Sequence, residues 1–271
     1  MTNTNLQPLV RWADLLPEEF LSRQQVLPAV YLPFGLCEPH GHVAPFGLDT
    51  FKADYLCDEA ARRFGGIVAP TQGYHIHETG YHAPWLNEVM GGVNPRLCAL
   101  PPDVIYRTFL FQLRAFVNAG FRLVIAISGH HGGNQEDLRL VAREFCAEYP
   151  ITVHVHSDPE LVADKYPGDH AGRHEISQLL YLRPELMDMA RVGRVETDPL
   201  GRFAQNPDAA EASTEYGQQI IEASLDTIGE FVADFQPQAI ETDIPFISFE
   251  EIEPIWEQIQ AQSANWRTLN T

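Results

Sequence analysis

Short apolar runs that alternate with helix-spaced segments constrain this chain more than any other feature. The runs are Ala29–Phe34, Gly66–Pro70, Leu123–Ser128 and Ile151–His156. Helical spacing follows in Thr50–Arg63, Asp103–Ala119, Gln135–Glu148 and Glu175–Leu182. The runs are nearly all apolar rather than alternating, which is the pattern of strands covered on both faces. Strands of that kind, joined through helices, give an α/β fold: three layers, α/β/α, around a mostly parallel central sheet. Asp103 is expected to cap its helix, Gly120 to end it, and Asn134 to cap the next. A further helix is expected over about Ala210–Phe235, a late strand in Ile240–Phe249, and a last helix near Glu251–Gln262. No internal repeat or low-complexity linker interrupts the chain, so residues 1–271 are read as one domain.

Charge limits the partners such a chain can take. It carries 37 acidic against 18 basic residues, a formal charge of −19. That field repels nucleic acid and anionic membrane surfaces, so neither is an expected partner. Cys37, Cys57, Cys98 and Cys146 form no CxxC pair, as expected of reduced thiols. Residues Met1 to Pro8 lack the basic and apolar regions of a secretory signal. No apolar run approaches the roughly eighteen residues of a membrane span. A soluble, cytoplasmic protein is the expectation.

In open α/β sheets, ligands bind beyond the carboxyl ends of the strands. The first apolar run leads there into Glu38-Pro39-His40-Gly41-His42, followed by Asp49. Residues two apart at strand spacing point the same way, so Glu38 and His40 can face one metal. Asp49 alone reads equally well as a helix-start carboxylate. The third run leads into Ser128-Gly129-His130-His131-Gly132-Gly133-Asn134, which contains no phosphate-loop, nucleophile-elbow or dinucleotide pattern. Two histidines there are expected to supply a metal ligand and a substrate-facing neighbour.

A third cluster is Asp169-His170-Ala171-Gly172-Arg173-His174-Glu175. A histidine beside a carboxylate can move protons during hydrolysis, so His170 and Asp169 are the expected catalytic pair. His174 reads as solvated surface. The long stretch from Pro70 to Pro102 is expected to fold over the site as a substrate loop. Within it, Tyr74 and His77 are assigned to substrate, and Tyr81 and Trp85 could wall a small planar ligand.

These three clusters together resemble the creatininase (creatinine amidohydrolase) family. Leu32 to Gly41, with Pro45, Gly47 and Asp49, resembles its first motif. Gly129-His130 with Gly132-Gly133-Asn134 resembles its second, and His170-Ala171-Gly172 with Glu175 and Ser177 its third. The resemblance runs from about residue 30 to 183. It implies a binuclear metal centre that cleaves non-peptide amide C–N bonds, in a homo-oligomer that is often a hexamer. It makes Glu38 and His40 ligands of different metals, Asp49 their bridge, His130 a further ligand and His170 the acid/base beside the substrate.

The departures redirect the substrate. His131 is an additional histidine, Gly132 stands where creatininases carry a metal-binding glutamate, and Val43 stands where a histidine is usual, with His42 one position earlier. Glu175 is expected to supply the missing oxygen. The resulting expectation is an amidohydrolase for a related small amide, such as a cyclic amide or formamide, acting through a dimetal-activated water. The two ions would be zinc, manganese or iron, which the same oxygen and nitrogen ligands accept. The competing expectation is a catalytically inactive metal- or ligand-binding protein on the same fold.

Overall fold

The inner strands of a four-stranded sheet are β1 (Ala29–Phe34) and β3 (Leu123–Ser128). With β2 (Ile67–Val68) and β4 (Thr152–Ser157) outside them, the order is β2-β1-β3-β4. All three pairings are parallel, with Val30 opposite both Ile67 and Val124. The structure is a computed structural model that describes residues 8–80, 82–132, 134–194, 201–236 and 243–270.

Every residue of both inner strands is buried. Successive side chains turn to opposite faces. Val30, Leu32, Phe34, Val124 and Ala126 enter one core, shared with α4 (Pro102–Asn118), α5 (Asn134–Glu148) and α8 (Glu253–Ala261). Ala29, Tyr31, Leu123, Ile125 and Ile127 enter a second core, shared with α2 (Leu48–Phe64) and α7 (Thr214–Asp234). Two cores on opposite faces of one sheet make three layers, as the continuous apolar runs require. Each fully buried Leu, Ile or Phe contributes about 1.5–3 kcal/mol, so these faces hold the layers together.

The sheet order also places the site. The chain leaves β1 through α2 towards β2, and leaves β3 through α5 towards β4, on the opposite side. The carboxyl ends of β1 and β3 therefore flank a topological switch point, where such folds open a crevice. Glu38–Asp49 and 129–134 both emerge there. A Cβ on Gly129 would lie 2.0 Å from the Asp49 carbonyl oxygen, so only glycine lets the two segments approach this closely.

Helix α1 (Pro17–Val26) precedes the sheet, and several boundaries differ from expectation. Helix α4 starts at Pro102 with Pro101 as N-cap and no side-chain cap, leaving Asp103 in the first turn, where its charge meets the helix dipole. Asn134 lies in α5, and its Nδ2 donates to the Ile76 carbonyl. Gly120 does take a left-handed conformation, φ +94°. The Pro70–Pro102 stretch contains a helix, α3 (His82–Met90). Helix α7 begins only at Thr214, after a 3-10 turn at Pro207–Glu211. The late strand is absent from residues 243–249, and residues 240–242 lie outside the described ones. Ile247 instead satisfies its backbone through the Asn118 side chain, at 2.9 Å for both N–H and carbonyl. Among the described residues, no helix is long and apolar enough to cross a membrane.

Candidate active site

Glu38 and His40 follow β1, and Asp49 lies in the first turn of α2; all three are at most 1% exposed. The His40 Nδ1 lies 3.1 Å from the Glu38 carbonyl. A carbonyl only accepts, so that nitrogen carries a proton and Nε2 is the nitrogen that faces inward. Nε2 stands 3.3 Å from Asp49 Oδ1 and 3.5 Å from Glu175 Oε2. From the end of β3, His130 places Nδ1 2.6 Å from Glu38 Oε1 and 3.8 Å from Asp49 Oδ2.

Electrostatics here are strained without a cation. Burial, offset by the neighbouring carboxylates, leaves His40 raised to about 9. Burial and the adjacent Glu38 push the Asp49 carboxyl well above its usual range. Glu38 feels the same burial, but His130 and His170 hold it well below that range. Both Asp49 oxygens, His40 Nε2 and His130 Nε2 are buried with no hydrogen-bond partner among the described residues. Buried polar atoms left open in this way are what a coordinated ion would satisfy.

Ligand atoms gather in overlapping trios, each within 4.8 Å: Glu38, Asp49 and His130; His40, Asp49 and Glu175; Glu38, His40 and His170; His77, His82 and His130. The first two share Asp49, so the residues present fit a pair of metal ions. Helix α6 (Arg173–Leu182) delivers Glu175 from its first turn. The Lys52 Nζ pairs with Glu175 Oε1 at 2.6 Å, Asp158 Oδ2 at 3.3 Å and Asp49 Oδ1 at 3.7 Å. Burial pushes Glu175 up, but Lys52 and His40 bring its carboxyl down to about 2, so it stays anionic.

The other expected residues divide. His131 is exposed and hydrogen-bonds Ser157 Oγ at 2.7 Å through Nδ1; His130, not His131, reaches Glu38 and Asp49. His170 Nε2 donates to the Pro39 carbonyl at 3.0 Å, and its ring stacks on His40 with centroids 4.9 Å apart. Asp169 does not orient His170. Its oxygens accept the backbone N–H groups of Gly172, His174 and Glu175, at 3.1, 2.6 and 3.3 Å. The start of α6 has orphan donors to satisfy, and Asp169 caps them. The carboxylate nearest His170 Nδ1 is Glu175, at 4.0 Å.

His77 lies inside the cluster, with Nε2 3.1 Å from Glu38 Oε2. The Glu78 N–H donates to its Nδ1, which puts the ring proton on the nitrogen facing Glu38. Tyr74 points away to solvent, 51% exposed. His174 is buried rather than solvated, 1% exposed near Asp158. Trp85 meets His170 edge-on at 4.9 Å, and Tyr81 lies outside the described residues. At Gly132, an added Cβ would meet His82 Cε1 at 2.0 Å, so a ring fills the space a side chain would need. Burial and His130 push that ring down to about 3, keeping it neutral.

The family model described as Creatininase: Creatinine amidohydrolase matches residues 13–232. The chain belongs to the creatininase family. It is 25% identical over 239 residues to creatinine amidohydrolase of Pseudomonas putida, covering 76% of this chain and 89% of that protein. It is 28% identical over 186 residues to 3-dehydro-scyllo-inosose hydrolase of Thermotoga maritima, covering 64% of this chain and 55% of that one. The fold is similar to a solved creatininase with manganese, at a TM-score of 0.66 and 22% identity over 88% of this chain and 100% of that one.

Two cavities meet over the centre of this creatininase-family site, sharing His130, His131 and His170. The smaller, about 330 Å³, is also lined by Glu160, Asp169 and Glu175. The larger, about 510 Å³, adds His82, Trp85, Arg202 and Arg267. Lys52, Asp158 and both arginines are absent from the three motifs. Lys52 carried a usable signal, a lysine three residues after Asp49 on the buried side of a helix. The arginines lie in irregular segments where spacing says nothing about direction.

Proposed function

We propose that this creatininase-family chain is an amidohydrolase that cleaves a non-peptide amide C–N bond of a small molecule, with two divalent ions that would supply the activation of water. The reading is carried by Asp49, shared between a trio with Glu38 and His130 and a trio with His40 and Glu175. These are the residues that would hold the two ions, and their oxygen and nitrogen atoms suit zinc, manganese or iron. When bound, such ions acidify a water and polarise a carbonyl.

The chain's own residues supply the rest. His40 and Glu38 are fixed in orientation through His40 Nδ1 on the Glu38 carbonyl and His77 beside the Glu38 carboxylate. The Pro39 carbonyl occupies His170 Nε2, so Nδ1 is the nitrogen left to carry a proton to the departing amine. Trp85 and His40 hold the His170 ring from its edge and face. The two relatives are named for different substrates, so the substrate here is sought in the cavities rather than in the family name.

The test combines metal content with turnover of a panel of cyclic amides and formamides. Glu38→Ala and Asp49→Ala are expected to lose metal and activity together. His170→Ala should keep its metal and lose about 10²–10⁴-fold in rate. Full turnover by a chelator-stripped sample would overturn the proposal. The competing reading, a binding protein without catalysis, draws on Gly132 lacking the glutamate of creatininases. Metal binding without turnover of any compound in the panel would favour it.

A further inference from the structure

The two trios that share Asp49 differ in what else touches them. In the first, Glu38 meets imidazoles, with His130 Nδ1 at 2.6 Å and His77 Nε2 at 3.1 Å. In the second, both carboxylates meet an ammonium: Lys52 Nζ stands 2.6 Å from Glu175 Oε1 and 3.7 Å from Asp49 Oδ1. That Oδ1 is the oxygen 3.3 Å from His40 Nε2, whereas Oδ2 is the one 3.8 Å from His130 Nδ1. Lys52 therefore stands on the His40 side of the shared carboxylate.

The fold fixes it there. Lys52 is fully buried on α2, one turn beyond Asp49, and its Nζ lies 3.3 Å from each oxygen of Asp158, just past β4. Gln178 on α6 in turn donates to Asp158 Oδ2 at 3.0 Å. Glu175 has a second anchor besides Lys52. The Ala171 N–H donates to its Oε2 at 2.8 Å, and that same oxygen stands 3.5 Å from His40 Nε2.

An imidazole can offer a lone pair to an ion, but an ammonium carries three donors and no acceptor. Lys52 can neutralise the carboxylates of the second trio, and it cannot become a ligand there. Its charge opposes a cation on the His40 side, where burial leaves the repulsion little screened. Gly132 brings no carboxylate to offset it.

We infer that Lys52 sets the two metal positions apart: an ion held by Glu38, Asp49 and His130 stays bound, while one held by His40, Asp49 and Glu175 binds more weakly and exchanges. The inference rests on the two-ion reading above and says which of its ions is labile.

Manganese titration of the chelator-treated full chain, with free ion read by electron paramagnetic resonance, tests this. The wild type should bind one ion at least about tenfold more tightly than the other, the scale on which groups beside a metal's ligands alter affinity. Lys52→Met keeps an unbranched side chain without the charge. It should tighten the weaker ion about 10–100-fold and leave the tighter one nearly unchanged. Asp158→Asn leaves the ammonium less compensated and should loosen the weaker ion several-fold. General damage to the site would loosen both ions in both variants, so a tightening marks the effect of charge. His40→Gln should abolish the weaker ion and spare the tighter one. Arg107→Gln, at an exposed pair with Glu253, should change neither affinity.

Equal affinities in the wild type, a gap that survives in folded Lys52→Met, or loss of the tighter ion in His40→Gln overturns the inference while two-ion binding stands. A wild type that takes one ion at saturation supports it if Lys52→Met takes two, and overturns it if that variant also takes one. Should Lys52→Met not fold, Asp158→Asn decides: a loosened weaker ion beside an unchanged tighter one supports the inference, and any other result overturns it. Uptake of no ion overturns it together with the two-ion reading. Turnover enters none of these measurements, so failure of the amidohydrolase reading on the substrate panel is seen separately.

Discussion

Lys52 is fully buried among Glu175, Asp158 and Asp49, and its pKa is raised because these carboxylates outweigh the cost of burying the charge. Removing it strands three carboxylates in the interior. Lys52→Met is therefore expected to cost about 3–5 kcal/mol in the metal-free protein, read by urea unfolding. Added zinc or manganese should recover part of the loss, because a cation again faces Glu175. On β4, burial pushes His156 down to about 4, with Phe231 stacked on its ring at 4.9 Å. Its folded pKa lies below the unfolded value of about 6.5, so the unfolded chain takes up the proton first. Stability should be complete above pH 6.5 and fall as pH drops towards 4, by about 1–2 kcal/mol after allowing for partial exposure. His156→Gln should flatten that slope in urea midpoints measured from pH 4 to 7. Neither effect could be read from residue type, because a lysine or histidine in sequence does not state what surrounds it.

Between elements, the approach of β3 to α2 decides whether the ligands meet. Gly129→Ala forces a methyl against the Asp49 carbonyl, which sits 2.0 Å from the ideal Cβ. We expect a loss of about 1–3 kcal/mol, as overpacking costs, together with lowered metal content by elemental analysis. Unchanged metal content would show that the two segments can separate without harm to the ligands. The inner strands were legible because their burial on both faces writes an uninterrupted apolar run. Less legible were β2, which pairs only at Ile67 and Val68, and the stretch 243–249, whose backbone is satisfied by a side chain. Local patterns register burial and period, whereas Asn118 answering for Ile247 is a pairing across 129 residues.

For the molecule as a whole, the folded state collects Asp49, Glu175 and Asp158 around one lysine and buries Glu38 nearby, in a chain of charge −19. Ions that bind only the folded site stabilise it by mass action, about 2.7 kcal/mol at a hundredfold excess over Kd. Chelation should therefore lower the unfolding midpoint by roughly 5–10 °C, seen in calorimetric scans with and without chelator. An unchanged midpoint would argue against metal at this site.

The apolar runs determined the architecture and the three motifs the residue types of the site, because strand burial, glycine turns and ligand types are local properties. The sequence also placed Glu38, His40 and Asp49 together, since they lie within one strand-to-helix crossing. Only the tertiary structure turned His131 outward onto Ser157, made Asp169 a helix cap, and brought Lys52 to Glu175 across 123 residues. The same holds for Arg202 and Arg267, which no pattern marks. These assignments depend on where distant backbones cross at the ends of β1 and β3, and packing of the two cores sets that geometry.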